Sequence, residues 1–215
     1  MRFKDRHEAG RVLATSLAQF AGRDDVVVLG LPRGGIPVAA VVAHALGAPL
    51  DVIVVRKLGF PGHEELAMGA IATGGVRVID ESTHRFPSVT PEIVERVVAD
   101  EGFELARRER LYRAGRPRPA LHGRTVILVD DGMATGSTMR AAVSAVRAEG
   151  PARVVVAIPV APPDTCALLR IEADDVICAA MHDPFFSVGV WYDDFEQTTD
   201  AEVQELLTPG AVPRS

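Results

Sequence analysis

Two adjacent carboxylates, Asp130 and Asp131, carry the strongest chemical signal in the chain. They stand where the apolar run Val126-Ile127-Leu128-Val129 ends, and such a run fits a strand buried on both faces of a parallel sheet. A short turn follows, Gly132-Met133-Ala134-Thr135-Gly136-Ser137-Thr138, rich in glycine and hydroxyl residues. The amphipathic stretch Met139 to Arg147 then reads as a helix. Strand, turn and helix in this order aim backbone N–H groups and the positive end of a helix dipole at one point, which makes a phosphate cradle. Ser137 and Thr138 can add hydroxyl donors, and Gly136 lets the backbone approach an anion closely. Two neighbouring anions would repel a bound phosphate unless they face hydroxyl donors or a divalent cation. A phosphorylated sugar with free hydroxyls, bound with Mg²⁺, satisfies both halves of the motif. The plainer alternative is an ordinary strand end whose acids cap the helix.

Other charged or glycine-rich groups fall where strands should end. Arg33-Gly34-Gly35 lies between a strand and a helix N-terminus, a second anion cradle with a cation attached. Arg56-Lys57 closes the next strand, and two cations there suit a diphosphate leaving group. The residues after it, Leu58 to Glu65, contain Gly59, Pro61 and Gly62 and read as a loop. His63 is the loop's only group that titrates near neutral pH, and a solvated loop histidine is its favoured reading. Glu64 and Glu65 face solvent on the simplest view. Arg107, Arg108, Arg110 and Arg113 alternate with Glu101, Glu104 and Glu109, as on a salt-bridged helix face. One of these arginines could support the cleft, and the sequence does not select which.

Val126 to Thr138 resembles the signature of the type I phosphoribosyltransferases: apolar strand, two acids, two variable residues, Ala-Thr-Gly, then a hydroxyl residue. The resemblance implies that Asp130 and Asp131 hold the ribose hydroxyls of 5-phosphoribosyl 1-diphosphate (PRPP) with Mg²⁺, and that Ala134 to Thr138 hold its 5-phosphate, with Gly132 and Met133 also in the PRPP site. Arg33-Gly34-Gly35 is similar to the family's pyrophosphate loop. Arg56 and Lys57 would join Asp130 and Asp131 in catalysis, and a mobile loop over Gly59 to Glu65 would close on the substrate. Phe186-Ser187-Val188-Gly189-Val190-Trp191-Tyr192-Asp193 is similar to the hood of the oxopurine members. There Phe186 would stack on the base, with Val188 and Trp191 beside it, and Asp193 would reach the metal. A small hydrophobic core explains these aromatics equally well. Oxopurine enzymes carry a carboxylate at the position of Ala134, so a purine ring base is missing from this signature. The implied partners are PRPP and a small nitrogenous acceptor, with the chain as a homo-oligomer, a dimer first.

The elements that must position these groups alternate regularly. Arg6 to Phe20 reads as an amphipathic helix, Val26 to Leu29 as a buried strand, Ile36 to Leu46 as a helix ended by Gly47, and Asp51 to Val55 as a strand. Ala67 to Ala72 and Val76 to Ile79 flank Thr73-Gly74-Gly75 like a hairpin. A long helix is expected from Pro91 to Ala114 with Thr90 as its cap. Strands follow at Val154 to Ile158 and Val176 to Ala179, with helices at Asp164 to Arg170 and Asp200 to Leu207. The order predicts an α/β fold: a Rossmann-like parallel sheet with helices on both faces and a small C-terminal and hairpin hood. Residues 1–215 read as a single domain with 182–215 as hood or tail. In such sheets ligands bind at the carboxyl ends of the strands.

Bulk properties narrow the function further. The 215 residues are 47% hydrophobic and 24% charged, ordinary globular values. A net charge of −6 gives no basic field for nucleic acid. Cys166 and Cys178 have no metal-ligand spacing and suggest buried thiols rather than a disulfide. No apolar run reaches membrane-spanning length and the charged N-terminus lacks a signal core, so a cytoplasmic protein without membrane partners is expected. Two rivals to a transferase remain: a sensor that binds PRPP without turnover, and a metal-dependent hydrolase using the paired acids. The hydrolase fares worse, because Ala-Thr-Gly-Ser-Thr builds a phosphate cradle without further metal ligands.

Overall fold

A parallel strand covered on both faces must be apolar at nearly every position, and the centre of this fold meets that demand. The computed structural model describes residues 1–60, 63–79, 89–208 and 210–211, and for residues 63–67 the backbone alone. Strands β1 (Val26–Gly30) and β6 (Thr125–Val129) are buried along their whole length. They pair in parallel, flanked by β2 (Leu50–Val52), β7 (Arg153–Ala161) and β8 (Asp175–Met181), giving the order β2-β1-β6-β7-β8. Alternate side chains divide between two cores. Val26, Val28, Ile127 and Val129 meet Leu13, Leu17, Val38 and Val42 of helices α1 (Arg6–Ser16) and α2 (Gly35–Leu46) with the turn after α1. Val27, Leu29, Val126 and Leu128 meet Met139, Val143 and Val146 of α4 (Ser137–Arg147), and Cys166 and Leu169 of α5 (Pro163–Leu169). The fold is α/β, a parallel sheet covered by helices on both faces.

The first predicted helix is shorter than its pattern, because a 3-10 turn, Ala18–Phe20, replaces its last turn. The larger correction concerns the stretch after β2. That strand stops at Val52, and Arg56 and Lys57 lie inside β3 (Val55–Phe60), which belongs to a separate antiparallel sheet with β4 (His63–Ala72) and β5 (Val76–Ile79). Leu58 to Phe60 and the backbone of His63 to Glu65 are therefore strand, not loop; Pro61, Gly62 and the His63 side chain lie outside the described residues. Leu58 is fully buried beside Met68, Ile71 and Val98, so burial outweighs the loop propensity of its neighbours. Gly59 is accommodated by register shifts on either side of it, as a bulge allows. Thr73 joins the two sheets: its hydroxyl accepts from Val54 N–H at 2.8 Å and its own N–H donates to Val54 O at 2.9 Å.

Helix α3 (Pro91–Arg113) begins at Thr90, whose hydroxyl accepts from the Ile93 N–H. Its arginine cluster separates by partner. Arg107 and Arg108 both grip Glu104 near the surface, whereas Arg113 is buried, 2.8 Å from Asp51, and donates to Val52 O at 2.8 Å. Burial raises the Asp51 carboxyl and lowers the Arg113 guanidinium, each opposed by the other's charge. Cys166 and Cys178 are free thiols in the same core, and no helix among the described residues is long and apolar enough to cross a membrane. Helix α6 (Asp200–Leu206) packs on α2 and α3. Arg113→Met leaves Asp51 buried and unpaired, so a loss of about 3–5 kcal/mol is expected in urea unfolding, mostly recovered in the double variant with Asp51→Leu. Equal losses in the single and double variants would contradict a buried pair whose breakage is its main energetic consequence.

Candidate functional site

The carboxyl ends of β1 and β6 lie side by side, so the segments that leave them must meet. Leaving β1, the chain passes Leu31, whose N–H donates to Val129 O at 2.9 Å, then a cis peptide between Pro32 and Arg33, and enters α2 at Gly35. Leaving β6, it reaches Asp130 and Asp131. The two segments touch at their glycines. A Cβ on Gly35 would lie 2.8 Å from Val129 O and 2.9 Å from Asp130 Oδ1, and one on Gly34 would collide with Asp131 Oδ2. Only bare backbone fits against the paired acids, which explains Gly-Gly at this loop. Arg33 reaches toward α6, 4.0 Å from Asp200 Oδ1, and the Tyr112 hydroxyl donates to that same oxygen at 2.7 Å. Burial and the Asp200 bond push the Tyr112 phenol up to about 12, so it stays a donor at all working pH.

Burial raises both carboxyls, Asp130 well above its ordinary value, and for Asp130 the adjacent charge of Asp131 raises it further. Asp130 Oδ1 accepts the Asp131 N–H at 2.8 Å. Asp131 has a cation that the sequence did not disclose: Arg6, from the first turn of α1, places Nε and Nη2 each 2.8 Å from Oδ2. Its charge and hydrogen bonds oppose the effect of burial on Asp131. No pattern around Arg6 marks it, since an amphipathic helix beginning with a charged turn is ordinary. Tyr192, visible as one more tail aromatic, donates to Asp131 O at 2.5 Å and is buried.

The turn after the acids is held from behind. Met133 is buried and its N–H donates to Val160 O at 3.0 Å, Ala134 O accepts the Thr165 hydroxyl at 2.7 Å, and Gly132 lies against Val188. Gly136 adopts φ +75° and starts α4, while the Thr135 and Ser137 hydroxyls lie 3.1 Å apart. The first turn of α4 then presents N–H groups without intrahelical partners, together with the hydroxyls of Ser137 and Thr138. Lys57 lines a cavity of about 580 Å³ between the antiparallel sheet and α4, which Ser137 and Thr138 also line. Arg56 turns to α3, with Nη2 2.6 Å from Glu101 Oε2.

The structure gives the hood residues mixed positions. Phe186 is 81% exposed, and Val188 packs on Gly132. Trp191 stacks on His182 with ring centroids 3.5 Å apart, and Asp193 pairs with Arg2 at 2.8 Å on the surface. Among the described residues no three His, Cys, Asp or Glu side chains converge as metal ligands.

One strand-to-helix turn sets Gly34 and Gly35 against a carboxylate pair and a second opens α4 at Gly136, and this is the geometry to compare with known proteins. Residues 5–194 match the phosphoribosyl transferase domain family. The chain belongs to that family. A Mycobacterium tuberculosis protein carrying a provisional phosphoribosyl transferase name is 49% identical over 205 residues, covering 95% of this chain and 46% of that protein. The chain thus spans about half the length of the curated relatives it matches. The crystal structure of the Thermus thermophilus protein TT1426 is 46% identical and superposes with a TM-score of 0.87, covering 96% of this chain and 98% of that one. The Aquifex aeolicus protein AQ2163, 10% identical over 96% of this chain and 85% of its own, shares the fold with a TM-score of 0.53.

Within this phosphoribosyl transferase domain the turn after the acids depends on Gly136 for conformation and for space. A Cβ there would meet Thr165 Cγ2 at 2.8 Å in addition to sitting at positive φ. Gly136→Ala is expected to lose roughly 1–2 kcal/mol from the left-handed conformation alone, and more from the contact. Adding Thr165→Ser keeps the hydroxyl and removes the methyl, so chemical denaturation should show partial recovery in the double variant. Strict additivity would mean that the two residues do not press on each other.

Proposed function

We propose that the protein transfers the 5-phosphoribosyl group of PRPP to a nitrogen nucleophile and releases diphosphate. The observation that carries this reading is the contact of the Gly34-Gly35 backbone with Asp130 and Asp131, beside the turn that opens α4. One ligand reaching all three elements needs an anion at each end and hydroxyls between, which describes a phosphorylated ribose diphosphate. On this reading Asp130 and Asp131 hold the ribose hydroxyls. Ala134 to Thr138 hold the 5-phosphate, and Arg33-Gly34-Gly35 receive the diphosphate. The bond from the anomeric carbon to the diphosphate oxygen breaks ahead of attack, the nucleophile's nitrogen bonds that carbon, and its proton leaves to solvent. Charge on the departing diphosphate is met by Arg33 and Lys57, while Arg56 acts through its hold on α3. Phe186 is exposed and open to a flat acceptor beside Val188, whereas Trp191 and Asp193 would first have to leave His182 and Arg2.

The donor set fits Mg²⁺, a hard cation that keeps several waters and takes one or two carboxylates together with substrate oxygens. Asp130 and Asp131 would hold it in company with PRPP, and when bound it supplies positive charge for the leaving diphosphate. The protein would work in the cytoplasm, and as a dimer. A second reading, a PRPP-binding sensor without turnover, is favoured by one feature: Trp191, a candidate base contact, is already stacked on His182.

Diphosphate release from PRPP, with and without Mg²⁺, over a panel of nucleobases and small amines decides between them. One productive acceptor establishes the transferase, and chelation of Mg²⁺ should abolish its turnover. Tight PRPP binding with no release across the panel favours the sensor. Asp130→Asn with Asp131→Asn is expected to lose PRPP binding by at least about a hundredfold, in line with the loss of buried charge-assisted hydrogen bonds, while keeping its circular dichroism spectrum. Undiminished affinity in that double variant would overturn the assignment of the acids.

A further inference from the structure

We propose that Arg6 is a positioning residue for the ribose: it pins Oδ2 of Asp131 so that Oδ1 is presented to the sugar hydroxyls. The inference rests on the PRPP reading above. Both Nε and Nη2 of Arg6 reach the same oxygen, Oδ2, at 2.8 Å, instead of bridging the two carboxylate oxygens. That oxygen is walled on its other side by Gly34, where a Cβ would collide with it and lie 3.3 Å from Arg6 Nη2. Oδ2 is thus enclosed between a guanidinium and bare backbone, and Oδ1 is the oxygen left for a ligand.

Arg6 is itself fixed from the far end of the chain. Its Nη1 donates to Glu196 O at 2.7 Å, and its guanidinium lies 3.9 Å from the centre of the Phe195 ring. Phe195 stacks on Tyr192 at 4.9 Å, and Tyr192 returns to the backbone carbonyl of Asp131. Arg6, Phe195, Tyr192 and Asp131 close a ring that fixes both the main chain and the side chain of one acid. Asp130 takes a backbone N–H instead. A role in stability alone is a weak account of this arrangement. The Arg6 and Asp131 side chains are 12% and 14% exposed, and burying an ion pair to that degree seldom stabilises more than an apolar pair of the same shape. What such a pair does supply is a fixed geometry.

Calorimetric titration of the full chain with PRPP, and separately with inorganic phosphate as a probe of the turn at Ala134 to Thr138, tests this. Arg6→Gln should weaken PRPP about tenfold to a hundredfold, the range expected when a buried charged partner is removed, and leave phosphate affinity unchanged. Arg6→Lys should recover part of the loss, since a point charge can meet Oδ2 but cannot also stack on Phe195 and bond Glu196. In the Asp131→Asn background, Arg6→Gln should add little. Equal weakening of both ligands would show a general structural role and overturn the inference, as would unchanged PRPP affinity in Arg6→Gln. Wild-type protein that binds phosphate but not PRPP would instead remove the PRPP reading itself.

Discussion

Two carboxylates buried side by side at the end of a parallel strand are the constraint on which the rest of this structure depends. Desolvation opposes their charge, and each opposes the other. A fold that keeps them needs either cations or a ligand rich in donors. Here the protein supplies one cation, Arg6, and gives it to Asp131. Asp130 receives a single N–H from its own neighbour. The remaining acceptor capacity faces the segment where β1 and β6 end together, and a polyhydroxylated ligand fits that demand chemically. The glycines of the Arg33-Gly34-Gly35 loop follow from the same constraint, because any side chain at Gly34 would displace the Asp131 carboxylate.

The surrounding elements hold these groups from several directions. Thr165 of α5 and Val160 of β7 fix the backbone of the turn after the acids from behind. Asp200 at the start of α6 collects Tyr112 from α3 and lies near Arg33, which ties the Arg33-Gly34-Gly35 loop to two helices remote in sequence. Arg113 secures the end of β2 through Asp51 and Val52 O, just before the chain crosses to the antiparallel sheet. Apart from the Val160 carbonyl, these braces use charged or hydroxyl side chains on neighbouring elements to meet groups near strand and helix ends. The apolar faces set the fold, and the polar ends of its elements set the site.

How much of this was legible beforehand follows from the range of each interaction. β1 and β6 were readable because burial on both faces leaves no polar position, and the helices flanking them because their apolar period matches 3.6 residues. The strand-to-helix turns that carry the acids and the glycines were readable as segments because their patterns are local in sequence. Arg6 was not, since its partner lies 125 residues away and nothing next to it changes with that contact. Arg113 could not be singled out from Arg107, Arg108 and Arg110 for the same reason: its partner Asp51 lies on another element. The stretch from Leu58 was misread because Gly59 weighed toward a loop, whereas Leu58 and its buried neighbours on β4 and α3 determine the strand.

The aromatic tail shows why a motif of similar residues can serve a different end. Tyr192 is buried and bonded to Asp131, Phe195 lies under Arg6, Trp191 lies on His182, and Phe185 packs beside Trp191. These four aromatics are thus engaged by the protein itself, and Phe186 is the most exposed of the tail's aromatics. A flat acceptor gains most where a ring face is exposed and a polar rim lies close. Phe186, two residues from the Val188 that packs on Gly132, meets the first condition. Ala134 supplies no acid or base at the turn, so on the transferase reading proposed above acceptor choice would fall to this apolar edge, which selects by shape and stacking.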